Sequence, residues 1–479
     1  MNLIPERPAE MNGDYYCTWG CQGGAAGICE EKLFGEEGLL TTYPQELRSS
    51  VICVLDDGWD IPREVRNPEE IYWYGVGYPD PERFPSTKGM EPKDALRWLV
   101  QKILSLGFAG AGFWIPIQTS RKTDVMYDMN DYIAHWTERA KWAAYAGVCY
   151  WKADWGQHYW NNAEARENLA RIVRQYAPGL WLEQAHVGGG MAPEPSFETV
   201  RERAAREAHV KHIFEYADYY RTYDCDSRIT LIPTTISRLS TLMKVASLID
   251  GENGYRHIVN VEDEVYLSAA FGCTAGIMRH PLYSDQHRHT EIIRTLNWHR
   301  IMPPFALAKE GYHIDEEWIA NRYIMEDKTV WQQSAPARLS RNMPLCDLSL
   351  TVGQYQPWVV SAKHPESGAV GIYATRRTVP GWIDCWSYAD ITAQVGASSV
   401  PVGIFGSSYR SLTLCYDEPI GARRVFVQDL ADDTAYDVTE EIVIEGRSII
   451  LNQDQIARFG TRANTEDDKS EPGFVLVIR

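Results

Sequence analysis

The chain has 479 residues, 44% hydrophobic and 23% charged, the balance of a globular protein with room for a barrel and a smaller second module. A formal net charge of -18 repels phosphate backbones, and no basic run with interleaved aromatics offsets it, which argues against nucleic acid as a partner. No apolar run approaches the ~20 residues that cross a bilayer, so no membrane partner is expected.

From residue 14 onward, apolar β-rich runs alternate with amphipathic helical stretches. In chain order, strands are expected at "DYYCTW" (14–19), "VICVLDD" (51–57), "GAGFWIPI" (110–117), "GVCYWKAD" (147–154), "GLWLEQAH" (179–186), "ADYYRTYD" (217–224), "HIVNVED" (257–263) and "GIMRHPLYSD" (276–285). Helical patterns separate them, among them "PKDALRWLVQKILSLG", "AEARENLARIVRQYA" and "EVYLSAAFGCTAG". The first gap, "ICEEKLFGEEGLLTTYPQELRSS", is the least regular, because two glycines and a proline interrupt it. Eight strand–helix units predict an α/β fold, a (β/α)8 TIM barrel over 1–305. A connector is expected at 306–350. Short alternating strands between Gly, Asn, Asp and Pro turns then predict a C-terminal antiparallel β-sandwich domain over 351–479.

The ten cysteines are scattered through apolar segments, as free buried thiols would be, and the cluster Cys17, Cys21, Cys29 matches no zinc spacing. No metal and no cofactor is expected. "MNLIPERPAEMNGDYY" lacks an apolar leader segment, so a cytoplasmic location is expected, or a secreted or periplasmic one if a signal peptide has been removed. The sequence leaves homo-oligomerisation open.

Barrel enzymes carry their chemistry at the C-terminal ends of the strands. Here strand two ends in Asp56-Asp57-Gly58-Trp59-Asp60, strand three in Trp114 and strand four in Lys152-Ala153-Asp154. Strand five ends in Glu183 and His186, strand six in Arg221 and Asp224, strand seven in Glu262 and Asp263, and strand eight in Asp285. Singly, each has an ordinary reading. Asp56 and Asp57 suit a turn, Lys152 and Asp154 suit a structural ion pair on one strand face, and Asp224 suits a loop. Together they crowd acids onto one mouth, which fits a polyhydroxylated ligand, a metal or acid–base work. HExxH, calcium-loop, GxxxxGK[ST] and GxSxG patterns are absent. An excess of aromatics, 17 Trp and 27 Tyr, offers flat platforms for the C–H faces of sugars. Glycoside hydrolysis by retention needs an ionised carboxylate as nucleophile and a second, with raised pKa, as acid and base. Asp154, with the Lys152 ammonium on its face, suits the first role. Asp224, with Arg221 nearby, suits the second.

At these residues the chain resembles the α-galactosidase clan of glycoside hydrolases, families 27 and 36, nearest to the branch of raffinose synthases and seed-imbibition-type α-galactosidases. "YYCTWG" resembles that branch's W-C-T-W-D, and Leu55-Asp56-Asp57-Gly58-Trp59-Asp60 resembles its I-D-D-G-W-Q. "RFPSTKGM" (83–90) is similar to its F-P…G-L/M segment, Lys152-Ala153-Asp154 to its K-x-D, and Arg221 to Cys225 to its R-x-S-D-D. The resemblance implies a retaining exo-acting α-glycosidase, foremost an α-galactosidase, with Asp154 as nucleophile and Asp224 as acid/base. It further implies that Asp56 and Asp57 hold the galactose 4- and 6-hydroxyls, that Lys152 contacts ring hydroxyls, and that Trp19, Trp59 and Trp114 form aromatic walls. Glu183, His186 and Arg221 complete the expected sugar contacts, the first two at the position where the family reads the sugar's C2 substituent. The partner is then an oligosaccharide or glycoside substrate. Gly20, Tyr223 and Cys225 depart from the family pattern, and "WLEQAHVG" lacks its C-x-W or C-E-W element. Those departures keep three alternatives in view: the same mechanism on an α-N-acetylgalactosaminide, β-L-arabinopyranoside or α-glucoside; galactosyl transfer; and a non-catalytic carbohydrate-binding protein.

Overall fold

The computed structural model describes residues 1–6, 11–60, 75–117, 128–154, 162–185, 200–222, 228–249, 253–281, 289–324, 328, 330–351, 353–377 and 387–479. Eight strands close into a parallel barrel: β1 (Tyr15–Cys17), β2 (Ile52–Leu55), β3 (Gly110–Ile115), β4 (Tyr150–Ala153), β5 (Trp181–Gln184), β6 (Tyr219–Arg221), β7 (Ile258–Glu262) and β8 (Thr274–Ile277). Neighbours pair in chain order, and β8 returns to β1 with Tyr15 opposite Gly276.

After β1, three short helices replace one long one: α1 (Trp19–Gln22), α2 (Glu30–Phe34) and α3 (Gln45–Arg48). Gly35, Gly38 and Pro44 break the run between them. The outer ring continues with α4 (Pro92–Ser105), α5 (Met129–Ala146), α6 (Ala163–Tyr176), α7 (Val200–Glu215), α8 (Arg228–Ala246), α9 (Val265–Phe271) and α10 (His289–Trp298). Local signals set its ends. Asp128 and Asn162 cap α5 and α6 by accepting backbone N–H bonds, and Gly147 closes α5 in the left-handed region.

Strand alternation sorts the side chains. In β4, Trp151 and Ala153 join the core under the helices, while Tyr150 turns into the barrel beside Tyr15, Cys17, Val54, Tyr219, Ile258 and Met278. This interior packing is a floor, and polar side chains lie above it.

One strand lies elsewhere than its pattern suggested. The eighth was expected at 276–285 and is found at Thr274–Ile277. Gly272, at φ 69°, ends α9 in the left-handed conformation, and the chain extends two residues later. The segment read as the end of a helix is therefore the strand. Asp285, expected at that strand's rim, lies outside the described residues.

The C-terminal part comprises β9 (Tyr312–Ile314), β10 (Trp318–Ile324), β11 (Val330–Pro336), β12 (Arg338–Arg341), β13 (Asp347–Ser349), β14 (Trp358–Lys363), β15 (Val370–Thr375), β16 (Ala389–Gly396), β17 (Val402–Phe405) and β18 (Tyr409–Tyr416). It continues through β19 (Val425–Asp429), β20 (Tyr436–Asp437), β21 (Val443–Glu445), β22 (Ser448–Asn452), α11 (Gln453–Gly460) and β23 (Gly473–Ile478). An eight-stranded sheet runs β20-β19-β23-β17-β15-β14-β12-β9, and a five-stranded sheet runs β13-β16-β18-β22-β21. Pairing is mostly antiparallel, with β12–β14, β15–β17 and β16–β18 parallel. Residues 306–350 thus carry strands of both sheets, together with the β10–β11 hairpin, which packs against α8.

The larger sheet is covered on both faces. Val359, Ile372 and Leu476 meet Ile391, Leu412 and Ile449 of the smaller sheet, whereas Trp358, Val360 and Tyr373 point the other way and join the barrel's core. Burial on both faces explains why "PWVVSA" reads as a continuous apolar run. At this seam Arg294 of α10 grips Asp429 of β19 through two bonds of 2.7 and 2.8 Å, both side chains fully buried. Arg341 donates to the carbonyls of Phe271, Gly272, Phe305 and Ala306. The N-terminus also crosses over, Leu3 N–H donating to Gln428 Oε1. Among the described residues, no helix is long and apolar enough to cross a membrane.

Candidate active site

Parallel pairing fixes the height of each side chain in the barrel. Lys152 lies level with Trp114 on one side and Glu183 on the other, and Asp154 follows two residues nearer the C-terminal mouth. Arg221 ends β6, Glu262 ends β7 and Asp56 follows β2. Their side chains converge into one buried ionic network.

Lys152 Nζ lies 2.9 Å from Asp56 Oδ2 and 3.4 Å from Glu262 Oε1. Arg221 bridges Asp154 at 3.1 Å, Glu183 at 3.5 Å and Glu262 at 3.6 Å. Hydroxyls and a thiol serve the same carboxylates: Tyr15 O–H donates to Glu262 at 2.7 Å, Tyr150 O–H to Glu183 at 2.8 Å and Cys17 S–H to Asp56 at 2.8 Å. From the helix layer, Arg166 donates to the Asp154 carbonyl and to Gln184 Oε1. Lys152 and Arg221 thus stand among the crowded acids and are shared between them.

Asp154 lies at the accessible edge of this network. Its side chain is 10% exposed, against 4% or less for Asp56, Lys152, Glu183, Arg221 and Glu262. Oδ2 accepts the Trp114 indole N–H at 2.8 Å, while Oδ1 faces Arg221 Nη2 at 3.1 Å. Burial pushes the carboxyl up, but the charges of Arg221 and Lys152 and the Trp114 N–H outweigh it and hold it below the usual carboxylate range. Asp154 is an anion held by Arg221 on one oxygen and by Trp114 on the other.

The sequence paired Asp154 with Lys152; the direct partner is Arg221. Two residues on one strand face share a direction but stand about 6 to 7 Å apart along the strand, and the Lys152 ammonium reaches across the barrel to Asp56 and Glu262 instead. Lys152 supports Asp154 only at longer range. Arg221, for its part, divides its charge among three carboxylates inside the barrel.

Among the other expected residues, Asp57 is buried with Oδ1 accepting no hydrogen bond. Burial first, then the charges of Asp56, Asp60 and Asp154, push it well above the usual range. Asp60 accepts from Gly77 N–H, and burial pushes it up to about 6. Trp114 touches Asp154 directly. Trp59 packs on Phe113, ring centroids 4.4 Å apart, and donates to the Trp114 carbonyl, so it supports the site from behind. Trp19 is 40% exposed. Glu183 has no exposed surface and lies beside Arg221. Asp224, with Tyr223 and Cys225, and His186 lie outside the described residues. Tyr15, Cys17 and Tyr150 were missed. Their signal was present: Cys17 follows Tyr15 by two residues, and Lys152 follows Tyr150 by two, so polar atoms recur on one face of apolar strands.

No family model matches the chain, and no curated protein matches it. Among solved structures it is similar to a GH27 β-L-arabinopyranosidase from Geobacillus stearothermophilus, at 14% sequence identity and TM-score 0.44, covering 92% of this chain and 96% of that one. It is also similar to a candidate α-N-acetylgalactosaminidase from Bacillus halodurans, at 12% and 0.44, covering 100% and 99%. A third is a candidate α-galactosidase from Bacteroides fragilis, at 10% and 0.43, covering 98% and 79%.

The glycine that departs from the family's acidic position has a steric cause. Gly20 N–H donates to the Met278 carbonyl at 3.1 Å, and a Cβ on Gly20 would overlap that carbonyl oxygen. Gly20→Asp should therefore destabilise the fold by about 1 to 3 kcal/mol, the cost of overpacking a closed site. Thermal denaturation of Gly20→Asp beside wild type checks this, and an unchanged melting temperature would show that the β1 rim has slack to yield.

Proposed function

We propose that the chain is a retaining exo-acting α-glycosidase, foremost an α-galactosidase, with Asp154 as nucleophile and Asp224 as acid/base. The observation that carries this reading is Asp154 itself: a carboxylate kept ionised by Arg221 and Trp114, at the C-terminal end of a barrel strand and the most exposed member of the buried network. A double displacement needs that state, because the nucleophile must be anionic before substrate arrives. The Asp154 carboxylate attacks the anomeric carbon while Asp224 gives its proton to the departing glycosidic oxygen. Asp224 then takes a proton from water, which attacks the glycosyl ester and regenerates Asp154.

Asp57 suits the sugar-binding part. Pushed toward its protonated form, with Oδ1 buried and uncommitted, it can both donate to and accept from a hydroxyl. Asp56 and Lys152 act beneath it as a charged pair that fixes the wall.

A panel of aryl α- and β-glycosides, assayed with wild type, Asp154→Ala and Asp224→Ala, tests the proposal. The expected result is turnover of an α-galactoside by wild type. Asp224→Ala should lose about 10² to 10⁴-fold on substrates with poor leaving groups and far less on activated aryl glycosides. Equal losses on both substrate types would remove the acid/base assignment, and no turnover of any glycoside would turn the reading toward transfer or binding.

A further inference from the structure

Among the described residues, Lys152 and Arg221 face four carboxylates inside the barrel, Asp56, Asp154, Glu183 and Glu262, and two charges do not balance four. Lys152 contacts Asp56 and Glu262, while Arg221 contacts Asp154, Glu262 and Glu183. With Asp56, Asp154 and Glu262 ionised, the cations are already outnumbered, and a fourth anion would stand in a place with no exposed surface. An unbalanced buried charge costs far more than the protonation that removes it.

The geometry of Glu183 differs from that of the ionised acids. A charged carboxylate that truly pairs with an arginine takes its N–H bonds at about 2.7 to 2.9 Å, as Asp429 does with Arg294 at 2.7 and 2.8 Å. Glu183 Oε1 stands 3.5 Å from Arg221 Nε and accepts no hydrogen bond. Its Oε2 accepts the Tyr150 O–H, a bond that a neutral carboxyl makes equally well. Glu262 is the contrast in its cations: it has Lys152 at 3.4 Å and Arg221 at 3.6 Å, whereas among the described residues Glu183 pairs with Arg221 at 3.5 Å.

We propose that Glu183 is a positioning residue that keeps its proton, a neutral carboxyl set between the Tyr150 hydroxyl and Arg221, so that the arginine's charge is left to Asp154 and Glu262. The groups facing it support this. Burial pushes Glu183 up, Arg221 pulls it down, Glu262 pushes it up again, and Lys152 and the Tyr150 hydroxyl pull it down, leaving it at about 7. Tyr15 of β1 completes the ring of neighbours and carries its own proton, burial and the charges of Glu183 and Glu262 pushing it well up. Raising the pH through about 7 then releases the Glu183 proton, and the new carboxylate competes with Asp154 for Arg221.

Glu183 thereby leaves the set of expected sugar contacts and acts through Arg221. Its effect on turnover rests on the proposed role of Asp154; its protonation does not. Isotope-edited infrared difference spectra of the full chain, wild type minus Glu183→Gln, should show a protonated-carboxyl carbonyl stretch that vanishes between about pH 6 and 8. No such band would overturn the proposal whatever the enzyme does. In kinetics, Glu183→Ala should lose about 10²-fold in kcat, the scale of a small misplacement at a reacting centre. Glu183→Gln should recover most of that loss and erase the inflection near 7. A glutamine variant no better than alanine would show that the charge, not the shape, is required. If wild type turns over no glycoside, the functional reading fails while the infrared band still decides the proton.

Discussion

Asp154→Ala should abolish the proposed glycoside turnover, by about 10⁴-fold or more, the scale seen when one member of a catalytic unit is removed. The size of the effect follows from the site's construction. No other carboxylate of the network can substitute, because Asp56, Glu183 and Glu262 are 4% exposed or less and committed to Lys152, Arg221 or a hydroxyl. A small external anion can substitute. In Asp154→Ala, azide should restore turnover of an activated aryl α-galactoside and yield the β-configured glycosyl azide, because one displacement inverts where two retain. Product configuration by proton NMR reads the outcome. An α-configured azide, or wild-type rates in the alanine variant, would remove Asp154 from the role.

Arg294→Met and Asp429→Asn should each lower stability by about 3 to 5 kcal/mol, the cost of leaving one member of a buried ion pair without the other. The pair has no exposed surface, and its remaining contacts are used. Arg294 also meets the Glu471 carbonyl, Asn464 Oδ1 and Tyr266 O–H, and Asp429 accepts from Ala431 and Ala463 N–H. The double variant Arg294→Met/Asp429→Leu should recover a large part of the loss, because an apolar pair of similar volume can replace buried charges at little net cost. Guanidinium denaturation followed by tryptophan fluorescence measures all three. Single variants as stable as wild type would mean that water reaches the seam.

The barrel was legible because each strand is an apolar run that ends in a polar residue, and the rim residues follow directly from where the runs stop. β8 was misplaced for the same reason in reverse. "TAGI" is short and small, sits directly after a helix, and hides inside a run that reads as helical. Lys152 and Asp154 show a second limit. Sequence says that they share a face, but only closure of the barrel says which residues stand opposite, and those turn out to be Asp56, Glu262 and Arg221. Arg294 and Asp429 are 135 positions apart, and nothing local in either segment signals the other. In the β domain, "PWVVSA" signalled burial, while the parallel pairs had no turn signature because parallel neighbours are not joined by hairpins.

The short helix α9 deserves its own reading as a piece of chain without an outside. All of its residues are buried. Tyr266 packs edge-on against Tyr373 and at a tilt against Phe405, Trp298 donates to the Ala269 carbonyl, and Gly371 lies so close that a side chain there would strike the Ala270 backbone. In an ordinary barrel the helix between β7 and β8 would show one polar face to water; here "VYLSAAF" has no such face, and the larger sheet takes the place of solvent. A barrel cut away after residue 305 would carry an oily scar along one flank and would aggregate through it. The β module is in this sense the missing outer wall of the barrel.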